Sequence, residues 1–529
     1  MRFSRPAGAR SSAAQAALLF ALALCVFVLW MDQGLHLYDE GITLLGAERI
    51  SHGAVPHRDF YCPYGPGYFV VLAGLFDIFG HSVLVERVAD AVLRSGCVTL
   101  VFLIVADTGS AGIAWCAALG ALLALGAFLT LGFVMVPALA FALASVWCLW
   151  PHVRNGFRNA GIWRFIAAGW CTGVAVVCRY DVGGALLVGQ VIVLSAQAAL
   201  SAGDARAVRA VLAPFLAGAG LTLAPYGAFV LATGITHDLV FDVVLLPART
   251  YVLMRSLPFP GLGNFAGWVV YLPPLMMAVS VWFVFVARRA PGFEVPWHVV
   301  MLAVLTLVLF GKAYVRMSGI HMVAATVSSL ALLGIMWCQA PPRLRPALLV
   351  ALGFALVCAG FSVKREIGMT QDGFAWITHR QDCATAADIP RLSCFAMDQP
   401  QLDAIRYVRS HTQPGDRIFV TAGRHDKLFA NDIAFYFLAD RPPATKWYQM
   451  DPGLQTTVPI QLAVIADLAR ACPRYVIRET QWDGMVEANA SAVSSGVHLL
   501  DTYLRAHFTP VELFGPVSIA RAAPRSCGS

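Results

Sequence analysis

The chain has 529 residues, of which 58% are hydrophobic and only 13% charged, and its mean hydropathy is +0.67. A soluble chain of this length would carry far more surface charge, so the apolar excess belongs against lipid. The net charge of +7 does not mark a nucleic-acid binder, because the basic residues stand in short clusters between apolar runs, as they do in membrane loops.

The basic start, Met1 to Arg10, runs into the first apolar stretch. Trp30-Met31-Asp32 is a poor cleavage site, so a first span is expected rather than a removed signal peptide. About eleven runs read as helical spans: 12–30, 83–106, 111–130, 132–150, 162–178, 182–200, 210–233, 265–287, 296–311, 319–338 and 346–362. With the N-terminus in the cytoplasm, Arg154/Arg158, Arg206/Arg209, Arg288/Arg289 and Arg343/Arg345 fall inside. Loops 31–82, 234–264 and 312–318, and everything after 363, fall outside. The expectation is an α-helical polytopic protein of the plasma (inner) membrane. It has a transmembrane domain over 1–363 and a soluble α/β domain over 364–529, periplasmic or extracellular.

Residues 64–80 are apolar but short, and they open on Gly65-Pro66-Gly67. Counted as a span they would invert every later loop, so they read as an interfacial or re-entrant part of loop 31–82. That loop also holds Asp39-Glu40, an amphipathic helix over about 40–51 with Ile42, Leu45 and Ile50 on one side, a stop at Gly53, and Pro56-His57-Arg58-Asp59-Phe60. It is far longer than two helices need for a connection, which points to function.

The tail alternates helical and strand patterns: helix 401–411, a turn at Pro414-Gly415-Asp416, strand 417–422, helix 459–471, strand 474–480, helix 497–507 and strand 511–520. No glycine-rich phosphate loop follows any of its strands, so no nucleotide site is expected. Eight of the thirteen cysteines lie in apolar runs and none forms a C-x-x-C; Cys383 with Cys394 is a candidate disulfide on an oxidising side.

Several residues could carry chemistry. Asp39 stands just past the first span and reads both as a helix cap and as a catalytic carboxylate. Arg58 and Asp59 read as a local ion pair or as part of a phosphate clamp. Arg179, Tyr180 and Asp181 form a very short turn between two spans, where charge is costly and therefore a functional candidate. Arg249, Arg255, Lys312, Arg316 and His321 lie on outer loops, against the usual bias, and together suggest an anionic ligand.

The run Asp39-Glu40-Gly41, then Gly53-x-x-Pro56-x-Arg58-Asp59-Phe60, Gly65-Pro66-Gly67, Phe79-Gly80 and Arg87 resembles the first external loop of the GT-C membrane glycosyltransferases. Within them it is similar to the family 39-like, protein-mannosyltransferase and aminoarabinose-transferase group, whose bacterial members residues 240–260 and 316–321 also resemble. The resemblance implies a catalytic acid at Asp39 with a neighbouring acid at Glu40. It further implies an inverting transfer of a sugar from a polyprenyl-phosphate donor to a hydroxyl of a lipid, glycan or protein acceptor at the outer face. Arg58, Asp59, Arg179, Asp181, Arg249, Arg316 and His321 are the candidates for binding substrate. The chain departs from the aminoarabinose branch where Pro63-Tyr64-Gly65 replaces a Lys-Pro-Pro, and it has no second acid among Phe133 to Ala140. No residue is assigned to a metal, and a divalent cation is left open as a cofactor. The alternative from another class is a lipid or solute transporter or flippase, which should show half-repeats and charges near mid-membrane. Here the charges gather at the outer ends.

Overall fold

A computed structural model describes residues 9–523, apart from 128–130, 157–160, 203, 262, 264, 290–293 and 380–386. Nine of its helices are apolar and long enough to cross a membrane among the described residues. They are α1 (Ala9–Trp30), α4 (Val83–Ala106), α6 (Met135–Asn155), α8 (Tyr180–Ala202), α9 (Ala205–Thr233), α12 (Leu272–Ala287) with the turn before it, α13 (Trp297–Tyr314), α14 (Gly319–Gln339) and α15 (Arg345–His379). The 17-residue apolar helices α5 (Ala111–Ala127) and α7 (Ile162–Cys178) complete the set. Every span expected from hydropathy therefore has its helix, and the chain is a multi-pass membrane protein.

Two short helices fill the long first loop: α2 (Asp39–Ser51) and α3 (Gly67–Phe79). At 13 residues, α3 is about 20 Å long, short for crossing a bilayer. Gly53, at φ 82°, ends the turn after α2. The second long loop is also helical. It runs through α10 (Thr236–Val240), two π-helical turns (Phe241–Leu245 and Pro247–Tyr251) and α11 (Val252–Arg255).

Small residues let α7 and α9 meet closely, because a Cβ at Gly169 would collide with the Phe215 carbonyl. Such contacts supply the packing that lipid gives helices no hydrophobic reason to make.

The tail forms α16 (Gln399–His411), β1 (Phe419–Ala422), α17 (Ala434–Ala439), α18 (Val458–Ala471), β2 (Tyr475–Glu479), α19 (Leu499–His507), β3 (Phe508–Phe514) and β4 (Val517–Ala522). The sheet order is β1-β2-β4-β3, with β1 and β2 parallel and the other pairs antiparallel. Two expectations need correction here. Residues 511–520 are not one strand but a hairpin, reversed at Gly515, which has φ 54°. The chain also does not leave the helix at 363: α15 continues to His379, since the polar residues beyond 362 are still good helix formers.

The first loop and the tail share a core. Ile42, Leu45, Phe60, Phe69 and Phe76 pack with Ile433, Phe435, Phe437 and Tyr448. Accordingly α2 is not an amphipathic helix lying on an interface: every residue from Glu40 to Glu48 is buried. Leu37 O accepts from Ile433 N and Ala434 N at 3.0 and 2.9 Å, and a Cβ at Gly41 would strike the Ala434 backbone. Arg255–Asp451, Arg316–Glu487 and Lys446–Asp238 tie the other long loops to the same domain. All three loops and the tail therefore sit at one end of the bundle.

Candidate active site

Asp39 opens α2 at the end of the bundle that carries the long loops. It is not the cap: that position is Tyr38, whose side chain makes no capping hydrogen bond, while the Asp39 N–H donates to His36 Nδ1 at 3.1 Å. The Asp39 carboxylate is instead partly exposed, 3.5 Å from His36 Nδ1. Glu40, one residue on, is fully buried and accepts two hydrogen bonds from Arg87, Nε at 2.7 Å and Nη2 at 3.0 Å. Arg87 also donates to the Met31 and Gln33 carbonyls and lies over the Phe395 ring. Glu40 is thus committed to a buried brace joining α1, α2 and α4, while Asp39 keeps an accessible carboxylate.

Arg179 sits in the one-residue break between α7 and α8, where its extended backbone (φ −154°) swings it out of both helices. Its guanidinium pairs with Asp181, Nε–Oδ1 3.1 Å, and lies 4.8 Å from the centre of the Tyr64 ring. Burial pushes the Tyr64 phenol well above its usual range and the nearby Asp39 adds to this, against the opposing pull of Arg179. Tyr64 therefore stays neutral, a donor for an anion beside Asp39 and Arg179. The Lys312 side chain, near the end of α13, is within electrostatic reach of Arg179, Asp181, Asp39 and Arg316. It makes no hydrogen bond or ion pair among the described residues.

Arg316 and Arg255 close this cluster from the side of the C-terminal domain. Arg316 Nη1 donates to Glu487 Oε2 at 2.8 Å, and Nη2 pairs with Glu487 Oε1. Burial raises the Glu487 carboxyl, but Arg316 holds it below its usual range overall. Arg255 Nη2 donates to Asp451 Oδ1 at 2.5 Å. His321 Nδ1 shares a hydrogen bond with Ser318 at 2.8 Å, and its ring meets the Phe133 ring edge-on. Both Arg179 and Arg316 lie within electrostatic reach of Tyr251.

Of the expected residues, Asp39, Arg179, Asp181, Arg316 and His321 come together around Lys312. Arg58 and Asp59 do not join them: they pair with each other and line a separate cavity against the C-terminal domain. Arg249 is exposed on its π turn. Tyr64, Tyr251, Asp451 and Glu487 were not singled out from sequence. Nor was Asp242, which accepts from Cys62 N and holds the buried His57 ring at 3.1 Å. His57 has φ 70°, and a non-glycine residue in that region is worth notice.

An apolar cavity of about 480 Å³ lies away from these charges, between α5, α12, α14 and α15, lined by Leu123, Leu272, Leu333, Trp337 and Leu356 among others. Its wall includes Thr326, five residues along α14 from His321 and hence about 7.5 Å further along that helix. The described residues gather possible metal ligands once, at Asp426, His498 and Asp501 in the C-terminal domain. Asp426 is paired there with Arg424, and Asp501 with His425. Among the expected site residues no comparable group occurs.

No protein-family model matches the chain, and no curated protein matches it in sequence. Solved structures do. ArnT from Cupriavidus metallidurans, in a crystal structure bound to undecaprenyl phosphate, aligns with a TM-score of 0.56 at 15% identity, over 98% of this chain and 99% of that one. The GT-C fold is what they share. An archaeal oligosaccharyltransferase, AglB from Archaeoglobus fulgidus in complex with an inhibitory peptide and a dolichol-phosphate, aligns with a TM-score of 0.51 at 12% identity, over 97% and 75% of the two chains. The arabinofuranosyltransferase AftD from Mycobacteria gives 0.50 at 11% identity, with 100% of this chain covering 42% of that one. Within a GT-C fold the described cluster stands at the junction of the bundle, its first long loop and its C-terminal domain.

Proposed function

We propose that the chain is an inverting glycosyltransferase that moves a sugar from a polyprenyl-phosphate donor to an acceptor hydroxyl. The loop end of the bundle then faces the outside of the plasma membrane, where nucleotide sugars are absent and a lipid-borne donor is the available kind. The observation that carries this reading is the accessible Asp39 carboxylate within electrostatic reach of Lys312, with Tyr64 within reach of both Asp39 and Arg179, at the end of an apolar bundle. The GT-C fold supports it, as do the undecaprenyl phosphate and dolichol-phosphate in the ArnT and AglB structures.

In the proposed reaction the acceptor oxygen attacks the anomeric carbon as the bond from that carbon to the phosphate oxygen breaks. The bonding pair leaves with the polyprenyl phosphate, and Asp39 takes the acceptor proton. Lys312, Arg179 and the neutral Tyr64 phenol stabilise the charge that grows on the leaving phosphate. Arg316 and Arg255, neutralised by Glu487 and Asp451, brace the C-terminal domain over the site and leave Lys312 without an ion-pair partner of its own among the described residues. Asp39→Asn keeps the shape of the side chain and removes its basicity. Purified protein reconstituted with polyprenyl-phosphate sugars should then lose transfer by about 10²-fold or more, with donor binding and melting temperature retained. Transfer at the parental rate would remove Asp39 from the reaction.

A further inference from the structure

The second cavity, of about 440 Å³, opens at the seam between the first long loop and the C-terminal domain. Five cations line it, Arg49, Arg58, Arg417, Lys446 and Arg470, against two acids, Asp59 and Asp467. Both acids are already taken. Asp59 accepts from Arg58 through both oxygens and from Val55 N. Asp467 accepts from Thr445 at 2.8 Å and from Arg470 at 3.3 Å.

The remaining three cations are held mainly by carbonyls. Arg49 Nη2 donates to Asp59 O at 2.8 Å, and Arg417 Nη1 to Pro443 O at 3.0 Å. Lys446 Nζ reaches His57 O at 3.2 Å and Asp238 only at 3.5 Å. The other terminal nitrogen of Arg49, Nη1, is buried with no hydrogen-bond partner. Burial and the neighbouring Arg417 both work against the Arg49 charge, with Tyr448 opposing them. A buried donor on a charged group is costly when left unmade, and like charges on one wall repel. A dianionic ligand in the cavity offsets that repulsion.

We propose that this seam is a second ligand site, separate from the Asp39 cluster, that binds a phosphomonoester group. Arg49 and Arg417 clamp the phosphate, and Lys446 adds a third contact. The guanidinium planes suit the paired oxygens of a phosphate, and the rings of Phe60 and Tyr448, 5.1 and 5.8 Å from Arg49 Cζ, fix one of them in place. The group can arrive on a soluble molecule or on a lipid head.

The test is direct binding, independent of transfer. Equilibrium dialysis of the purified full chain against radiolabelled inorganic phosphate reads the soluble source. Native mass spectrometry from nanodiscs of phosphatidylcholine with and without phosphatidic acid reads the lipid source. The site requires saturable binding of one phosphate or one phosphatidic acid per chain, weakened at least tenfold in Arg49→Gln and in Arg417→Gln but not in Arg249→Gln. Phosphate binding assigns the soluble source, and retention of phosphatidic acid alone assigns the lipid. Should Arg49→Gln fail to fold, Arg417→Gln and Lys446→Gln decide by the same criterion. Binding of neither probe, or equal binding by the folded variants, overturns the proposal.

Discussion

The two halves of the first long loop carry similar residues and enter different chemistry. The first half brings Asp39 within electrostatic reach of Lys312, and Tyr64 within reach of both Asp39 and Arg179, the latter already paired with Asp181. The second half brings Asp59, whose two carboxylate oxygens are spent on Arg58, its own neighbour. What separates them is pairing, not residue type. A carboxylate locked to an adjacent guanidinium has little left to offer a substrate, while an accessible one facing an unpaired lysine has both proton affinity and a place for an anion nearby. Asp39 and Glu40 repeat the contrast within two residues, because Arg87 takes Glu40 into a buried brace.

That contrast can be broken at several points. Arg87→Met should have the largest effect. It leaves Glu40 buried without its partner and frees the Met31 and Gln33 carbonyls, a loss of about 3–5 kcal/mol for a broken buried pair. Thermal unfolding in detergent reads it, and a protein that melts like the parent would release Glu40 from a bracing role. Lys312→Met should leave stability near normal and lower kcat/KM for the donor by about 10²-fold, or 2.7 kcal/mol. Arg179→Lys should cost less, about tenfold, since a point charge keeps attraction but loses the fork geometry.

Asp432 tests the ground beneath the first half of the loop, next to the Leu37 contacts. Burial raises its carboxyl to about 8, and its Oδ2 has no hydrogen bond. An unfolded aspartate titrates near 3.9. The folded carboxyl therefore favours stability below about pH 4, and that contribution is lost as pH rises to about 8. Asp432→Asn should remove this slope and stabilise the protein at pH 8 relative to pH 5, seen as a smaller drop in melting temperature between pH 5 and pH 8. An unchanged slope would assign the pH dependence elsewhere. Arg58→Gln should do least: an exposed pair of this kind is worth about 1 kcal/mol or less, and transfer should stay at the parental rate. A collapse of transfer would return Arg58 to the donor site.

The bundle was legible because lipid imposes long apolar runs, and α3 because a short run opening on Gly65-Pro66-Gly67 cannot span. The hairpin at Gly515 was missed because one glycine interrupts a run that otherwise reads as a single strand. The burial of α2 was missed because its cover, Ile433 to Phe437, lies far along the chain. The same holds for the site. Asp39, Arg179, Asp181, Arg316 and His321 stood out as charged groups at helix ends. Their sorting by partners such as Glu487 and Tyr64 depends on contacts that no local pattern announces. Arg58 and Arg249 shared the local signal and lacked the tertiary one.

The division between the two halves is tested most directly by locating the phosphate of a bound polyprenyl phosphate in an experimental structure of the reconstituted protein. The account requires the phosphate within hydrogen-bond reach of Lys312 and Arg179, with Asp39 facing the acceptor side. A phosphate seated on Arg58 with Lys312 unliganded would contradict it.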